Sequence, residues 1–369
     1  MKILVVHPRM GVKGGGERVA IHSITATLKA GHEVSLVSEE FDQRSFEDFF
    51  GCNGLFDGIE RLSYPAFSPT IKGGFLLYQR LQYHQRWVRR VLSARNRFDI
   101  VLSTQDIGYV PTVDSPVVQY CYFPDYFAHL ESHPSLPWWR LYYWPASRFY
   151  RERVRRVDRL LSVSEFTRGF VRRKWGRDST TLYPPCPIEI YQGVSRSREN
   201  LVVTVGRIVP EKRLHLLVDM AKQLPGYRFA IIGSVEERRA GYYERLRTLV
   251  PSNVSFVLSP LRKVKDMLGT AKVYVHCALN EHFGITIVEA MAAGCVPVVH
   301  DSGGPREIVA EGVGYRWRDS SEAVEQVSRL MEDRHLWGGL SSAASARARQ
   351  YGPERFESGL VKALGRYES

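Results

Sequence analysis

Short apolar runs alternate along this chain with longer stretches in which apolar residues recur every three or four positions. In the first half the runs Lys2–His7, Glu33–Ser38, Asp99–Thr104, Val117–Tyr122 and Leu160–Val163 predict strands. Between the first two, Val19, Ile21, Ile24 and Leu28 keep helical spacing from Gly14 to Gly31, and Gly31 stops that helix. The segment Thr181-Leu182-Tyr183-Pro184-Pro185-Cys186-Pro187 cannot continue a regular element, so a domain hinge is expected there. The alternation then restarts with Leu201–Val205, Arg228–Ile232, Val254–Leu258, Val273–Cys277 and Val296–His300. Strand and helix alternating twice over predict an α/β protein of two Rossmann-like, doubly wound domains facing across a cleft, with parallel sheets. Pro353 opens a last predicted helix.

Composition sharpens this picture. At 369 residues with 44% hydrophobic and 12% aromatic positions, the chain has material for two packed cores and no disordered composition. No apolar run reaches the eighteen residues of a membrane-spanning helix. The run ending at His7-Pro8 is too short for a signal-peptide core and reads as a strand. Cys52, Cys121, Cys186, Cys277 and Cys295 are odd in number and widely spaced, which fits reduced thiols in a cytosolic protein. The net charge of +12 is concentrated, because residues 140–177 hold twelve Arg and Lys against Glu152, Asp158 and Glu165. Such a patch either is a solvated helix face or attracts a polyanion.

Three motifs fall just after predicted strands, where open parallel sheets bind ligands. Gly14-Gly15-Gly16-Glu17-Arg18 lets a ligand approach the backbone and opens a helix whose N-terminus favours an anion. It lacks the G-x-G-x-x-G spacing, yet Glu39 or Glu40 after the second strand keeps an NAD-dependent oxidoreductase open. Gly206-Arg207-Ile208-Val209-Pro210-Glu211-Lys212 places two cations at a strand's carboxyl end, which suits a diphosphate leaving group. Asn280-Glu281-His282-Phe283-Gly284-Ile285-Thr286-Ile287-Val288-Glu289 offers amides at a helix start, one loop carboxylate for sugar hydroxyls and one helical carboxylate for ribose. Against this, Glu281 could cap the helix and Glu289 be an exposed helical acid.

These motifs together resemble the retaining glycosyltransferases of family 4, which have the GT-B fold, and the likeness covers nearly the whole chain. Tyr183-Pro184-Pro185-Cys186, Asn280-Glu281-His282-Phe283-Gly284-Ile285 and Asp301-Ser302-Gly303-Gly304-Pro305 further resemble the α-mannosyltransferases that extend lipid-linked oligosaccharides from GDP-mannose. The resemblance implies an acceptor-binding domain over residues 1–185, a nucleotide-sugar-binding domain over 186–350, and a final helix, 351–369, crossing back to the first domain. It implies Arg207 and Lys212 on the donor diphosphate, and Glu281 on the transferred sugar. It adds the backbone of His282, Phe283, Gly284 and Ile285 beside the donor, Glu289 on the ribose, and Gly15 and Gly16 near the diphosphate. Transfer with retention by front-face attack follows, a donor phosphate oxygen helping to take the acceptor proton.

One position departs from the family. Tyr122 stands where relatives usually carry His, and a neutral phenol donates a hydrogen bond but cannot act as a base near pH 7. Either its hydroxyl suffices, Asp125 contributes, or the protein is a weakened enzyme or a non-catalytic scaffold partner. No D-x-D occurs, so no metal or other cofactor is expected, and His22, His276 and His300 read as structural. The aromatic segment Pro137–Trp144 before Arg148, Arg151, Arg153, Arg155 and Arg156 predicts a peripheral protein at the cytoplasmic face of an anionic membrane. Nucleic-acid binding has no supporting motif. UDP-glucose and UDP-N-acetylglucosamine remain alternative donors.

Overall fold

The computed structural model describes residues 1–12, 14–71, 75–93, 98–124, 137–193, 197–236, 240–258 and 261–367. It divides into two compact units, Met1–Pro185 with Glu354–Ser369, and Cys186–Pro353.

The first unit is built on a seven-stranded sheet. Its strands are β1 (Lys2–Val6), β2 (Glu33–Glu39), β3 (Glu60–Tyr64), β4 (Ile100–Ser103), β5 (Val117–Cys121), β6 (Arg159–Ser162) and β7 (Thr180–Thr181). They lie in the order β3-β2-β1-β4-β5-β6-β7, each neighbouring pair parallel. The central strands are apolar on both faces because helices cover both, and β4 and β5 are buried throughout. Leu4, Val6, Val101, Val117, Tyr150 and Val154 belong to its core. The final helix, Pro353–Leu364, packs into this unit: Phe356 meets Tyr120 edge-on at 5.8 Å, and Glu357 takes His22 at 2.9 Å and Lys29 at 2.8 Å.

The second unit repeats the plan with six strands, β8 (Glu199–Val205), β9 (Arg228–Gly233), β10 (Val254–Leu258), β11 (Ala271–His276), β12 (Val296–His300) and β13 (Tyr315–Trp317). Their order is β10-β9-β8-β11-β12-β13, again parallel throughout. Val202, Phe229, Val273, Val298 and Trp317 lie in its core.

In each sheet the order reverses beside the first strand, between β1 and β4 and between β8 and β11. Loops leaving neighbouring strands in opposite directions open a crevice at such a point, outside the carboxyl ends. The strands missed from sequence, β3, β7 and β13, are short or polar and lie toward sheet edges. Among the described residues no helix is long and apolar enough to cross a membrane.

Candidate active site

The crevice of the second sheet collects most of the predicted residues. Gly206-Arg207 leaves β8, and a short 3-10 turn, Pro210–Lys212, brings Lys212 back toward β11. The turn is tied to the end of β9 by Gly206 N–H on Ile232 O at 3.0 Å and Ile208 N–H on Ser234 O at 2.9 Å. From the loop after β11, Glu281 accepts a hydrogen bond from the Lys212 ammonium through Oε2. The same oxygen stands 3.4 Å from His276 Nε2, at the end of β11. Burial opposes ionisation of Glu281, yet the His276 contact and the Lys212 charge hold its carboxyl well below the usual carboxylate range. His276 is itself held from behind, its ring stacked on Tyr274 at 6.3 Å, while Tyr274 Oη lies 2.8 Å from Thr286 Oγ1. His276, read from the sequence as structural, is buried, and its ring borders this carboxylate.

Gly284 (φ 110°) precedes the helix Ile285–Ala292, and no side chain caps its start. The first amides of a helix have no intrahelical acceptor, so Gly284, Ile285 and Thr286 present N–H groups at this end. Phe283 is buried, its ring edge-on to Tyr351 at 5.4 Å. Burial and the Lys212 charge lower the His282 pKa despite Glu281, so His282 is neutral near pH 7. Glu289, on the second turn of the helix, is 8% exposed, so the alternative of an exposed helical acid is excluded. Arg207 is separate: its side chain is 63% exposed and pairs with Glu236 at 2.7 Å. Lys212 and Glu281 are thus brought into contact, and Arg207 lies on the rim of the same loop.

The loop after β12 cradles this site from behind. Asn280 N–H donates to Ser302 Oγ at 2.9 Å, His300 Nδ1 lies 3.0 Å from the same hydroxyl, and Gly304 N–H donates to Glu281 O at 2.8 Å.

In the first unit, the β1–β4 crevice holds a buried polar cluster. His7 is fully buried, with Nδ1 2.8 Å from Thr104 Oγ1 and Nε2 3.4 Å from Glu17 Oε1. Glu17 Oε2 accepts from Gly14 N–H at 2.7 Å. Burial works against the Glu17 charge, but His7 and the amides outweigh it and lower its pKa. Glu17 and His7 thereby shape the Gly14-Gly15-Gly16 turn, with Gly15 exposed. Sequence reading missed both; the signal was an acid three residues after Gly14, the spacing of a helix-start capping box.

Tyr122 follows β5 and donates to Gly16 O at 3.1 Å. Burial, then the nearby Glu17 charge, push its phenol pKa far above the ordinary value, so it remains a neutral donor. Asp125, its suggested helper, lies outside the described residues. Tyr122→Phe removes one neutral hydrogen bond, worth about 1 kcal/mol. The expected result is a fall of about 5-fold in kcat/KM with an unchanged pH-profile shape; a loss beyond about 100-fold would put the hydroxyl in the chemistry.

Among the described residues no group of three or more His, Cys, Asp or Glu could hold a metal ion.

Known proteins resemble this chain in both halves. The Glycosyltransferase Family 4 description matches residues 13–189, and Glycosyl transferases group 1 matches residues 188–353. The GDP-Man:Man(3)GlcNAc(2)-PP-Dol alpha-1,2-mannosyltransferase of Yarrowia lipolytica is 32% identical over 175 residues, 40% of this chain and 28% of that enzyme. Against that relative, the chain therefore aligns with less than a third of the length. A human alpha-1,3/1,6-mannosyltransferase is 24% identical over 98% of this chain and 94% of its own. The sucrose-phosphate synthase of Thermosynechococcus elongatus shares the fold, with a TM-score of 0.78 at 14% identity over 99% of this chain and 98% of its own. The nicotinamide reading of the glycine loop gives way to these matches. With both halves matched and two parallel Rossmann-like sheets, the chain belongs to the family 4, group 1 glycosyltransferases of the GT-B fold.

Proposed function

We propose that this chain transfers mannose from GDP-mannose, with retention of configuration, onto a lipid-linked or otherwise membrane-associated glycan. The observation that carries the reading is the Lys212–Glu281–His276 constellation at the switch point of the second sheet, beside an uncapped helix start. The two relatives named above are mannosyltransferases. Lys212, with Arg207 released from Glu236, neutralises charge growing on the diphosphate as the glycosidic bond breaks. Glu281 accepts hydrogen bonds from sugar hydroxyls, and the amides from Phe283 to Ile285 lie along the donor. Glu289 holds the ribose. Two cations on the diphosphate make a bound metal unnecessary. Exposed Leu141 and Trp144 on the arginine-rich helix Pro137–Arg155 suit peripheral attachment to the cytoplasmic face of an anionic membrane. Arg153 takes no part there, contrary to its grouping with the surface arginines, because it is only 7% exposed and bonds to Thr112 and Gln85.

A thermal-shift panel of GDP-mannose, UDP-glucose, UDP-N-acetylglucosamine and NAD tests the donor. GDP-mannose at 100 times its Kd raises stability by about 2.7 kcal/mol, a shift of several degrees, and NAD leaves Tm unchanged. A larger shift with either UDP-sugar would overturn the GDP-mannose reading.

A further inference from the structure

The arginine-rich helix holds a feature that sugar transfer does not use. A cavity of about 690 Å³ lies between its second half and Thr112, which precedes β5. Arg148, Arg151, Arg153, Arg155 and Arg156 line it, with Glu152 the one acid among the lining residues. The place is the amino-end side of the sheet, since Asp158, just past the helix, accepts from Val117 N–H at the start of β5 (2.7 Å). His7, Gly16 and Tyr122 lie at the carboxyl ends, so this cavity is separate from the candidate active site.

The charge in it is poorly compensated. Arg156 pairs with Glu152 at 3.0 Å, and among the described residues Arg151 bonds only to Ser147 of its own helix. Arg148 and Arg151 are three residues apart, and Arg151 and Arg155 four, so like charges face each other along one side of the helix. The helix dipole favours cations in the last turn and accounts for Arg153 and Arg155, but not for Arg148 and Arg151 earlier in the helix. The wall residue is the telling one. Arg153 is buried, its guanidinium held by Thr112 Oγ1 at 2.6 Å and Gln85 Oε1 at 3.1 Å and lying 4.8 Å from the centre of the Phe149 ring. Its Nε is buried with no hydrogen-bond acceptor among the described residues. Burial, then the neighbouring Arg156, push its pKa down to about 10. A buried guanidinium without a carboxylate is costly unless an anion completes it.

We propose that this cavity binds a polyphosphate-class anion, carrying at least two phosphate groups, between the Arg148–Arg156 segment and the connection into β5. Arg148 and Arg155 are about 10 Å apart along the helix axis at 1.5 Å per residue, more than one phosphate spans. Planar guanidinium groups suit phosphate oxygens bidentately. The site does not depend on the donor assignment.

The test is calorimetric titration of inorganic tripolyphosphate at low salt into the full chain. It is run in a Lys212→Ala background, so that the proposed donor site does not contribute its lysine. Binding that weakens about 10-fold or more when Arg148→Gln and Arg155→Gln are added, with unchanged melting, supports the site. No binding, or binding equal with and without those two substitutions, overturns it. A second arm separates the sources. Vesicles with phosphatidylinositol 4,5-bisphosphate are compared with phosphatidylserine vesicles of equal surface charge. Preference for the former, competed by tripolyphosphate, assigns a lipid headgroup; equal retention beside tight tripolyphosphate binding assigns a soluble polyphosphate.

Discussion

Glu281→Gln lowers kcat by about 10² to 10³-fold while the chain remains folded, the range seen when one preorganised polar contact to a transition state is lost. The amide keeps the shape of the side chain and removes its charge, which is the property the surroundings are arranged to keep. Lys212 and His276 converge on Oε2, and together they outweigh burial to hold the carboxyl ionised. Donor binding weakens less than turnover, because Lys212 then has no internal partner and stays available to the diphosphate. Stability reports the same pair. A carboxylate whose folded pKa is depressed contributes fully above its unfolded value, about 4.3, and loses that contribution as pH falls through the folded value. The Tm difference between wild type and E281Q is therefore constant from about pH 6 to 8 and narrows below about pH 4. Turnover within tenfold of wild type would remove Glu281 from the reaction.

What was legible in the sequence follows from physical scale. Central strands such as β1 and β5 are contiguous apolar runs buried on both faces, so local pattern reveals them. Strand β3, Glu-Arg-Leu-Ser-Tyr, alternates polar and apolar at the sheet edge, and β7 and β13 are two and three residues long, below the length at which periodicity speaks. Loop motifs were readable because they combine glycine with charge after a strand. Single side chains aimed from inside strands or helices were not. His276 closes a run that reads as strand, and His7 gains its meaning from Thr104, far away in sequence. Arg153 was misplaced because a count of charges does not say which arginine turns inward. The buried positions Ala146, Tyr150, Val154 and Val157 mark the apolar stripe, and Arg153 sits at its edge.

Gly303→Ala is the substitution in which backbone geometry alone should disable the site. Gly303 has φ +67°, and an added Cβ would stand 2.4 Å from Glu281 O and 2.8 Å from Glu281 N. Those are main-chain atoms, so no side-chain rotation relieves the overlap. The loop bearing Glu281 must move, although Gly304 N–H on Glu281 O and Asn280 N–H on Ser302 Oγ tie it in place. The left-handed conformation itself costs about 1–2 kcal/mol for a residue with a Cβ, and the overlap adds to that. Displacing a reacting group by about 1 Å costs about 100-fold in rate. G303A is therefore expected to lose about 100-fold in kcat/KM and several degrees in Tm. Gly312 supplies the control, since its φ is +76° but nothing lies within 4 Å of the added Cβ. Gly312→Ala carries the conformational cost without the collision, so it lowers Tm and leaves kcat/KM within about 2-fold. Equal activity loss in the two variants would show that strain, not the position of the Glu281 loop, limits the enzyme.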